Sequence, residues 1–132
     1  MSETKQTTQP YSNPAIRVVL MPKDTNAHGT IFGGVILSYI DIAAATEVRK
    51  HTSKRIVTKA MHEVIFVAPV FVGDIVSFYT ELVRIGHTSI TVKVIVEAER
   101  VRDPNIRARV TEAEVAFVAI DENRKPVPIR DE

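Results

Sequence analysis

The chain has 132 residues, 45% of them hydrophobic, and its 17 basic and 16 acidic residues give a formal net charge of +1. This length supports one hydrophobic core and hence one domain. The balanced charge and the few aromatic residues argue against binding to nucleic acid or to an acidic membrane surface. The chain has no cysteine, which excludes disulfides, a catalytic thiol and thiolate metal sites, and fits a reducing compartment.

Two terminal segments are expected to lie outside the domain, which is predicted to span residues 15–121. Residues 1–14 are polar, lack the apolar core of a signal peptide and predict a flexible N-terminal tail. Residues 122–132 predict a C-terminal tail. No stretch reaches the roughly 18 uncharged apolar residues of a membrane span. We therefore expect a soluble, cytoplasmic protein.

A short strand and one long helix are predicted to open the domain. Residues 15–21 form an apolar run of strand type that ends at Pro22. A polar, glycine-rich loop follows and leads into a helix over residues 34–48. The apolar residues of this helix cover nearly its whole circumference as far as Ala45, so it must be wrapped on most sides.

The sequence after the helix predicts four long antiparallel strands, over residues 55–67, 75–84, 89–100 and 109–120. In the third of them apolar and polar residues alternate, which indicates a sheet with one buried face. The order indicates an α+β fold with the helix packed on one face of the sheet. One sheet encloses so apolar a helix only if it curls strongly or a second subunit adds cover. A homo-oligomer is therefore expected, with edge-to-edge sheet pairing as one route.

Asp41, in the middle of the apolar helix, is the strongest functional pointer in the sequence. Burying an ionised carboxylate there is costly unless something holds it. Buried unpaired acids are uncommon outside functional sites, so we predict that Asp41 takes part in the chemistry. The alternative is a structural acid that caps a neighbouring subunit's backbone or pairs with an arginine.

Three motifs lie along this order of elements: Met21-Pro22-x-Asp24-Thr25-Asn26-x-x-Gly29-x-Ile31-Phe32-Gly33-Gly34 with Asp41 about two helical turns later, then Phe66-x-x-Pro69-Val70-x-x-Gly73-Asp74, then Thr88-Ser89 after a glycine turn. Together they resemble the hotdog-fold, YciA-like acyl-CoA thioesterases over roughly residues 15–121. The chain departs from the family pattern at Ala43, Ala44 and Ala68, where relatives often have glycines and an arginine.

The resemblance implies the hotdog fold, a long central helix wrapped by a curved antiparallel sheet. It also implies hydrolysis of an acyl-coenzyme A thioester to the free acid and coenzyme A, within fatty acid metabolism. The assembly it implies is a homohexamer, commonly a trimer of hotdog dimers. No cofactor is expected apart from coenzyme A itself, which is part of the substrate and the product.

Thioester hydrolysis needs a polarised carbonyl and either an activated water or a carboxylate nucleophile. The amides of Gly33 and Gly34 at the helix start are candidates for the oxyanion site, although both glycines could simply permit close packing. Asp41 lies seven residues beyond Gly34, about 10 Å along the axis. It is therefore expected to work with a neighbouring subunit's loop, as in the family, where Asn26 would orient water or the carbonyl. General-base and direct nucleophilic roles for Asp41 both stay open, and turn chemistry is the alternative for Asn26 and Asp24.

Further residues are candidates for substrate binding. The resemblance places Thr58, Thr88 and Ser89 near the pantetheine arm and water, although all three are ordinary strand residues. Phe66 is a candidate for lining the acyl tunnel. Arg84, Arg124 and Lys125 are candidates for contacting coenzyme A phosphates, although lone basic residues are usually only solvated. No metal site is expected, because the chain has neither a His-Glu-x-x-His motif nor a close pair of histidines.

Two other functions compete with an acyl-CoA thioesterase. A hotdog hydratase or dehydratase would need a histidine against Asp41, and only His28 is available for that role. A non-catalytic acyl-CoA-binding hotdog protein would keep the binding residues without the chemistry. The preferred acyl-chain length cannot be predicted, because the tunnel depends on how the subunits meet.

Overall fold

The computed structural model describes residues 3–5 and 13–131. In this part of the chain it contains one long helix and six strands. They are β1 (Glu3–Lys5), β2 (Ile16–Val19), α1 (Gly33–Val48), β3 (Arg55–His62), β4 (Ile75–Ile85), β5 (Ser89–Glu99) and β6 (Ile106–Ile120), with a 3-10 turn at Pro22–Asp24 before the helix.

The predicted helix is confirmed, and it begins one residue earlier than expected, at Gly33. Its buried residues recur at helical spacing and form one face: Ile36, Ile40, Ala43, Ala44, Glu47 and Val48. The two adjacent alanines have no exposed surface, because their small side chains let the helix lie close to the sheet. Ile42 on the other side stays 52% exposed, so one protomer does not cover the helix fully. Within the described ranges, no helix has the length and apolar character that a bilayer span requires.

All strands pair antiparallel in one sheet, in the order β2-β4-β5-β6, and β1 and β3 both lie along the outer edge of β6. The pairing register shifts within β3–β6, β4–β5 and β5–β6. Irregularities of this kind increase the local twist and bend the strand. The sheet curls around α1, which contacts β4, β5 and β6, and Phe78, Val94 and Phe117 of its inner face join the core.

The strands differ from the predictions by one or two residues at several ends, and there are three larger differences. The predicted strand over residues 55–67 leaves the sheet at His62, where Glu63 adopts a φ of 51°. β6 begins at Ile106, three residues before the predicted start at 109. β1 was not predicted at all, since polar residues 3–5 carry no strand pattern. Of the expected N-terminal tail, residues 1–2 and 6–12 lie outside the described residues.

The end of the chain is packed onto the domain and does not form the expected tail. The Val127 amide donates to Ala119 O at 2.9 Å, and the Ile129 amide to His87 O at 2.8 Å. The Thr52 hydroxyl donates to Ile129 O at 2.7 Å, and the Ile129 side chain is only 2% exposed within the core. The packed domain therefore extends beyond residue 121, at least to Ile129.

We expect Ile129→Ala to lower the free energy of unfolding by about 2–5 kcal/mol, because it removes a buried side chain and leaves a cavity. Urea or thermal unfolding measures the difference. Arg130→Ala, which alters the exposed neighbour, serves as the control and should change the stability little. Equal stability of the two variants would show that Ile129 is not part of the core.

Candidate active site

Asp41 lies on the flank of α1 that faces β3, where Thr58 reaches it. The Thr58 hydroxyl donates a hydrogen bond of 2.7 Å to Asp41 Oδ1. Thr58 pairs with Phe117 across the sheet, and Phe117 belongs to the core under the helix. Since cross-strand partners share a face, this pairing places the Thr58 side chain on the helix side.

The Asp41 carboxylate is accessible in the protomer, which corrects the expectation of a fully buried acid. Asp41 is half-buried because β3 is an edge strand, and in the described part of the chain no strand pairs with its outer edge. Among residues 13–131, Thr58 is the one hydrogen-bond donor to this carboxylate. The other oxygen is therefore available to a water molecule or a substrate.

The site loop, residues 25–32, connects the 3-10 turn to α1 and is organised by Asn26. Asn26 Oδ1 accepts hydrogen bonds from the amides of His28 (2.8 Å) and Thr30 (3.2 Å), and its Nδ2 donates to Thr30 Oγ1 at 2.9 Å. Gly29 has a φ of +85°, a conformation that glycine adopts at little cost. In the protomer Asn26 therefore has the turn role that was the alternative to catalysis.

Asp24 caps the 3-10 turn ahead of the site loop. Its Oδ2 accepts a hydrogen bond of 3.1 Å from the Met21 amide. This hydrogen bond, helped by the neighbouring Lys23 ammonium, lowers the pKa of Asp24 below its usual value against the opposing effect of desolvation. Asp24 thus has the turn role considered for it.

The two glycines at the helix start are bordered by phenylalanine rings, and their amides are unpaired within the described part of the protomer. Among the described residues, no carbonyl oxygen accepts a hydrogen bond from the Gly33 or Gly34 amide, and the helix dipole adds positive potential there. A Cβ atom on Gly33 would lie 3.6 Å from the Phe66 ring, and one on Gly34 only 2.8 Å from the Phe32 ring. Substituting Gly34 would therefore displace the Phe32 ring.

Phe32 is a residue of this site that the sequence analysis did not select. It occupies the N-cap position of α1 without a side-chain cap hydrogen bond, and it is 57% exposed. Ser, Thr, Asp and Asn are the usual residues at an N-cap. A phenylalanine directly before two glycines, at the start of the predicted helix, was the available signal.

An apolar cleft of about 360 Å³ lies beside this helix start. Phe66 is one of its lining residues, and the segment from residue 66 to 70 forms one wall. The remaining lining residues are mostly apolar: Thr30, Ile31, Gly33, Ile36 and Val110. Because Gly33 is one of the lining residues, the cleft adjoins the helix start.

The structure does not bring the other predicted substrate-binding residues to Asp41. Ser89 and Val57 both pair with Val118, so Ser89 lies on the opposite sheet face from Thr58. Thr88 precedes β5, and its carbonyl oxygen accepts a hydrogen bond from Ala119.

The three basic candidates also lie apart from the Asp41–Thr58 pair and the apolar cleft. Arg84 is exposed on β4 beside a register shift, opposite Thr91. Lys125 is exposed in a turn held by Asp121, whose Oδ1 accepts a hydrogen bond from the Lys125 amide at 2.9 Å. Arg124 precedes it in the same turn, with a φ of 64°.

Within one protomer, no hydrogen bond joins the described His28 and Asp41 side chains. His28 is exposed in the site loop, where its backbone amide donates to Asn26. In the described ranges, no three His, Asp or Glu side chains are grouped so that they could share a metal ion. Within the described part of one protomer this region offers a carboxylate, two unpaired backbone amides and apolar walls.

A family model described as the thioesterase superfamily matches residues 28–104. The chain belongs to this superfamily. The matched part includes α1 with Asp41, Thr58 on β3 and the Gly33-Gly34 pair at the helix start.

Curated relatives and solved structures are similar to this thioesterase over nearly its full length, among them the following three. An uncharacterized acyl-CoA thioester hydrolase of Zymomonas mobilis is 40% identical over 129 residues, 97% of this chain and 85% of the relative. The acyl-CoA thioester hydrolase YciA of Salmonella typhimurium is 38% identical over 122 residues, 91% of this chain and 92% of the relative. Cj0915, a hexameric hotdog fold thioesterase of Campylobacter jejuni, is 43% identical with a TM-score of 0.84, covering 92% of this chain and 93% of that one. The predicted hotdog fold and YciA-like family are confirmed.

Glu47, near the end of α1, carries a second carboxylate that the sequence analysis did not single out. Its side chain accepts hydrogen bonds from Thr80 Oγ1 at 2.9 Å and Lys50 Nζ at 3.2 Å, and it lies 3.0 Å from His51 Nε2. Desolvation raises the pKa of Glu47, but the hydrogen bonds from His51, Thr80 and Lys50 outweigh it, and the pKa lies below the ordinary 4.5. These donors therefore stabilise the ionised form in the folded thioesterase.

We expect Glu47→Gln to lower the free energy of unfolding of the thioesterase near pH 7. The stability difference from the wild type should become smaller as the pH falls. A carboxyl group whose pKa is lowered by folding adds stability above its unfolded pKa, and that stability is lost as the pH falls through the folded value. Urea unfolding of the wild type and the variant, at pH 7 and at stepwise lower pH below 4.5, measures this difference. Glu122→Gln, at an exposed position, is the control. A stability difference that stays constant as the pH falls would contradict the assignment.

Proposed function

We propose that this protein hydrolyses acyl-coenzyme A thioesters to a carboxylic acid and free coenzyme A. The observation that carries the proposal is the accessible Asp41 carboxylate, fixed by the 2.7 Å hydrogen bond from Thr58. Membership of the thioesterase superfamily and the acyl-CoA hydrolase names of its relatives supply the reaction class. The apolar cleft beside the helix start supplies a place for an acyl chain.

In this proposal, the thioester carbonyl oxygen accepts hydrogen bonds from the Gly33 and Gly34 amides. Negative charge develops on that oxygen as the carbonyl carbon is attacked, and amides aimed at it stabilise the tetrahedral intermediate. Asp41 either takes the proton of the attacking water or attacks the carbon itself, forming an anhydride that water then opens. When the intermediate collapses, the carbon–sulfur bond breaks and the coenzyme A sulfur leaves, taking up a proton to become the free thiol.

The two halves of this site come from different protomers. Asp41 lies seven residues beyond Gly34, about 10 Å away along a rigid helix, whereas a reacting carbonyl has to lie within about 3 Å of both groups. Asp41 of one protomer therefore acts on a thioester held by the site loop and helix start of another. The open outer edge of β3 and the exposed Ile65, Phe66 and Val67 offer surfaces for this association.

A homohexamer, a trimer of hotdog dimers, is the assembly we propose, in line with the hexameric Campylobacter thioesterase. Asn26 positions the site loop and, across the interface, the water or the thioester. Thr58, Thr88 and Ser89 are proposed for the pantetheine arm, and Arg84 and Lys125 for the coenzyme A phosphates. The reaction uses no cofactor apart from coenzyme A as part of the substrate, and the cytoplasm remains the predicted compartment.

Asp41→Asn is expected to lower the rate of thiol release from acyl-CoAs by about a hundredfold or more, the range that a lost acid–base group costs. The amide keeps the shape of the side chain and can still accept the Thr58 hydrogen bond. A panel of short- to long-chain acyl-CoAs with a thiol reagent gives the rates, and size-exclusion chromatography checks the assembly. Equal activity of both proteins would remove Asp41 from the chemistry. A wild type that binds coenzyme A but is inert toward every chain length would favour a passive binder.

Mixing two inactive variants tests whether the site is shared between protomers. Asp41→Asn protein and Asn26→Ala protein, dissociated and reassembled together at equal amounts, should recover about a quarter of the wild-type activity, because half of the random dimers are mixed and each mixed dimer has one intact site. Each variant carried alone through the same treatment is the control. If both groups acted within one chain, the mixture would stay as inactive as its components.

A further inference from the structure

A buried ion pair lies behind the site loop and is not used by the proposed chemistry. Asp74 is 1% exposed and Arg100 8% exposed, and Arg100 NH1 donates to Asp74 Oδ2 at 2.7 Å. Taking two charges out of water is costly, and removing one partner alone leaves the other charge uncompensated. The hydrogen bonds of the pair show which backbone segment it fixes.

Asp74 and Arg100 together fix the backbone of the connecting segment, residues 69–74. Asp74 Oδ2 also accepts a hydrogen bond from the Phe71 amide at 2.9 Å, and Arg100 NH1 donates to Pro69 O at 2.9 Å. The Arg100 guanidinium lies 4.9 Å from the centre of the Phe71 ring, within the range of a cation–π contact. Asp74 Oδ1 accepts a hydrogen bond from the Val101 amide at 3.2 Å, which anchors the segment to the end of β5.

The connecting segment is in turn paired with the site loop. The Ile31 amide donates to Val70 O at 2.8 Å, and Thr30 forms a β-bridge with Phe71. Thr30 is the residue that Asn26 binds through both its side chain and its backbone. A short chain of contacts therefore runs from Arg100 and Asp74, through the connecting segment, to Asn26 and the start of α1.

The site loop needs such an external support, because its own sequence is short and polar. Of its residues only Ile31 is buried, so the loop has little packing of its own to fix its position. Displacement of a positioned reacting group by about 1 Å can cost a factor of a hundred in rate. We propose that Asp74 and Arg100 are positioning residues, which hold the site loop and the Gly33-Gly34 amides where the reaction requires them. For its catalytic consequence this proposal rests on the proposed hydrolysis.

The test uses a neutral pair, a conservative variant and a stability control in the full-length protein. Asp74→Asn with Arg100→Gln removes both charges together, so neither is left buried and unpaired. Arg100→Lys keeps the positive charge opposite Asp74. Ile129→Ala destabilises the domain away from the site loop, since the Ile129 backbone is hydrogen-bonded to His87 and Thr52.

In the neutral double variant we expect kcat for acyl-CoA hydrolysis to fall tenfold or more, while KM changes less than about threefold. Arg100→Lys should recover kcat to within about threefold of the wild type. Ile129→Ala should lower Tm by at least as much as the double variant and keep its kcat. A double variant that retains kcat within about twofold, or an Ile129→Ala protein that loses as much kcat, would overturn the proposal.

Hydrogen exchange separates the proposal from the hydrolysis on which its catalytic consequence rests. Peptides covering residues 25–32 should exchange faster in the double variant than in the wild type or in Ile129→Ala. A wild type inert toward all acyl-CoAs would refute the proposed function, and the exchange rates would still decide whether the ion pair orders the loop. Unchanged exchange in the double variant would overturn the positioning role in either case.

Discussion

The close packing of α1 on the curled sheet is the constraint on which the site depends. Ala43 and Ala44 have no exposed surface, and side chains larger than alanine would push the helix off the strands and break the fit of the core. With the helix axis fixed, Asp41 has one possible place, on the flank beside β3. The Thr58 hydroxyl meets it there.

A rigid helix also fixes the distance between its parts, and this has a consequence for assembly. The amides of Gly33 and Gly34 and the Asp41 carboxylate lie on the same element, and no rotation of side chains brings a carboxylate across two helical turns. In the proposed reaction, oligomerisation is then needed to bring these groups together, as well as to bury the apolar surface. A monomer would leave Ile42 and the outer edge of β3 uncovered. A neighbouring protomer that packs against them would account for their exposure here.

The elements with strong periodicity could be predicted from the sequence, and those fixed by distant contacts could not. The helix and the strands after it carry apolar patterns at periods of 3.6 and 2, so their positions follow from local sequence. Residues 63–67 are as apolar as the strand before them, and only the backbone turn at Glu63 ends that strand. The packing of Ile129 depends on His87 and Thr52, far away in sequence, and two apolar residues in a polar, proline-containing segment do not predict it.

The site was predicted unevenly for the same reason. Asp41 stood out because a charge within an apolar helix is visible in the sequence, although its half-exposed flank became clear only with β3 in place. Glu47 was missed because Arg49, Lys50 and His51 beside it have the composition of a solvated helix end. Its burial depends on Thr80 of β4, which the local sequence does not specify.

The Asp74–Arg100 pair supports the site loop in a way that apolar packing could not. A loop of small and polar residues can present amides and an asparagine to a substrate, but it has little apolar surface with which to hold itself in place. Two charged side chains in a dry setting hold it through directed, charge-assisted hydrogen bonds to Pro69 and Phe71. Apolar residues of similar volume could fill the same space, but they would bind neither the carbonyl oxygen nor the amide. A buried ion pair in this place therefore fixes the direction of backbone carbonyl and amide groups, which an apolar core does not do.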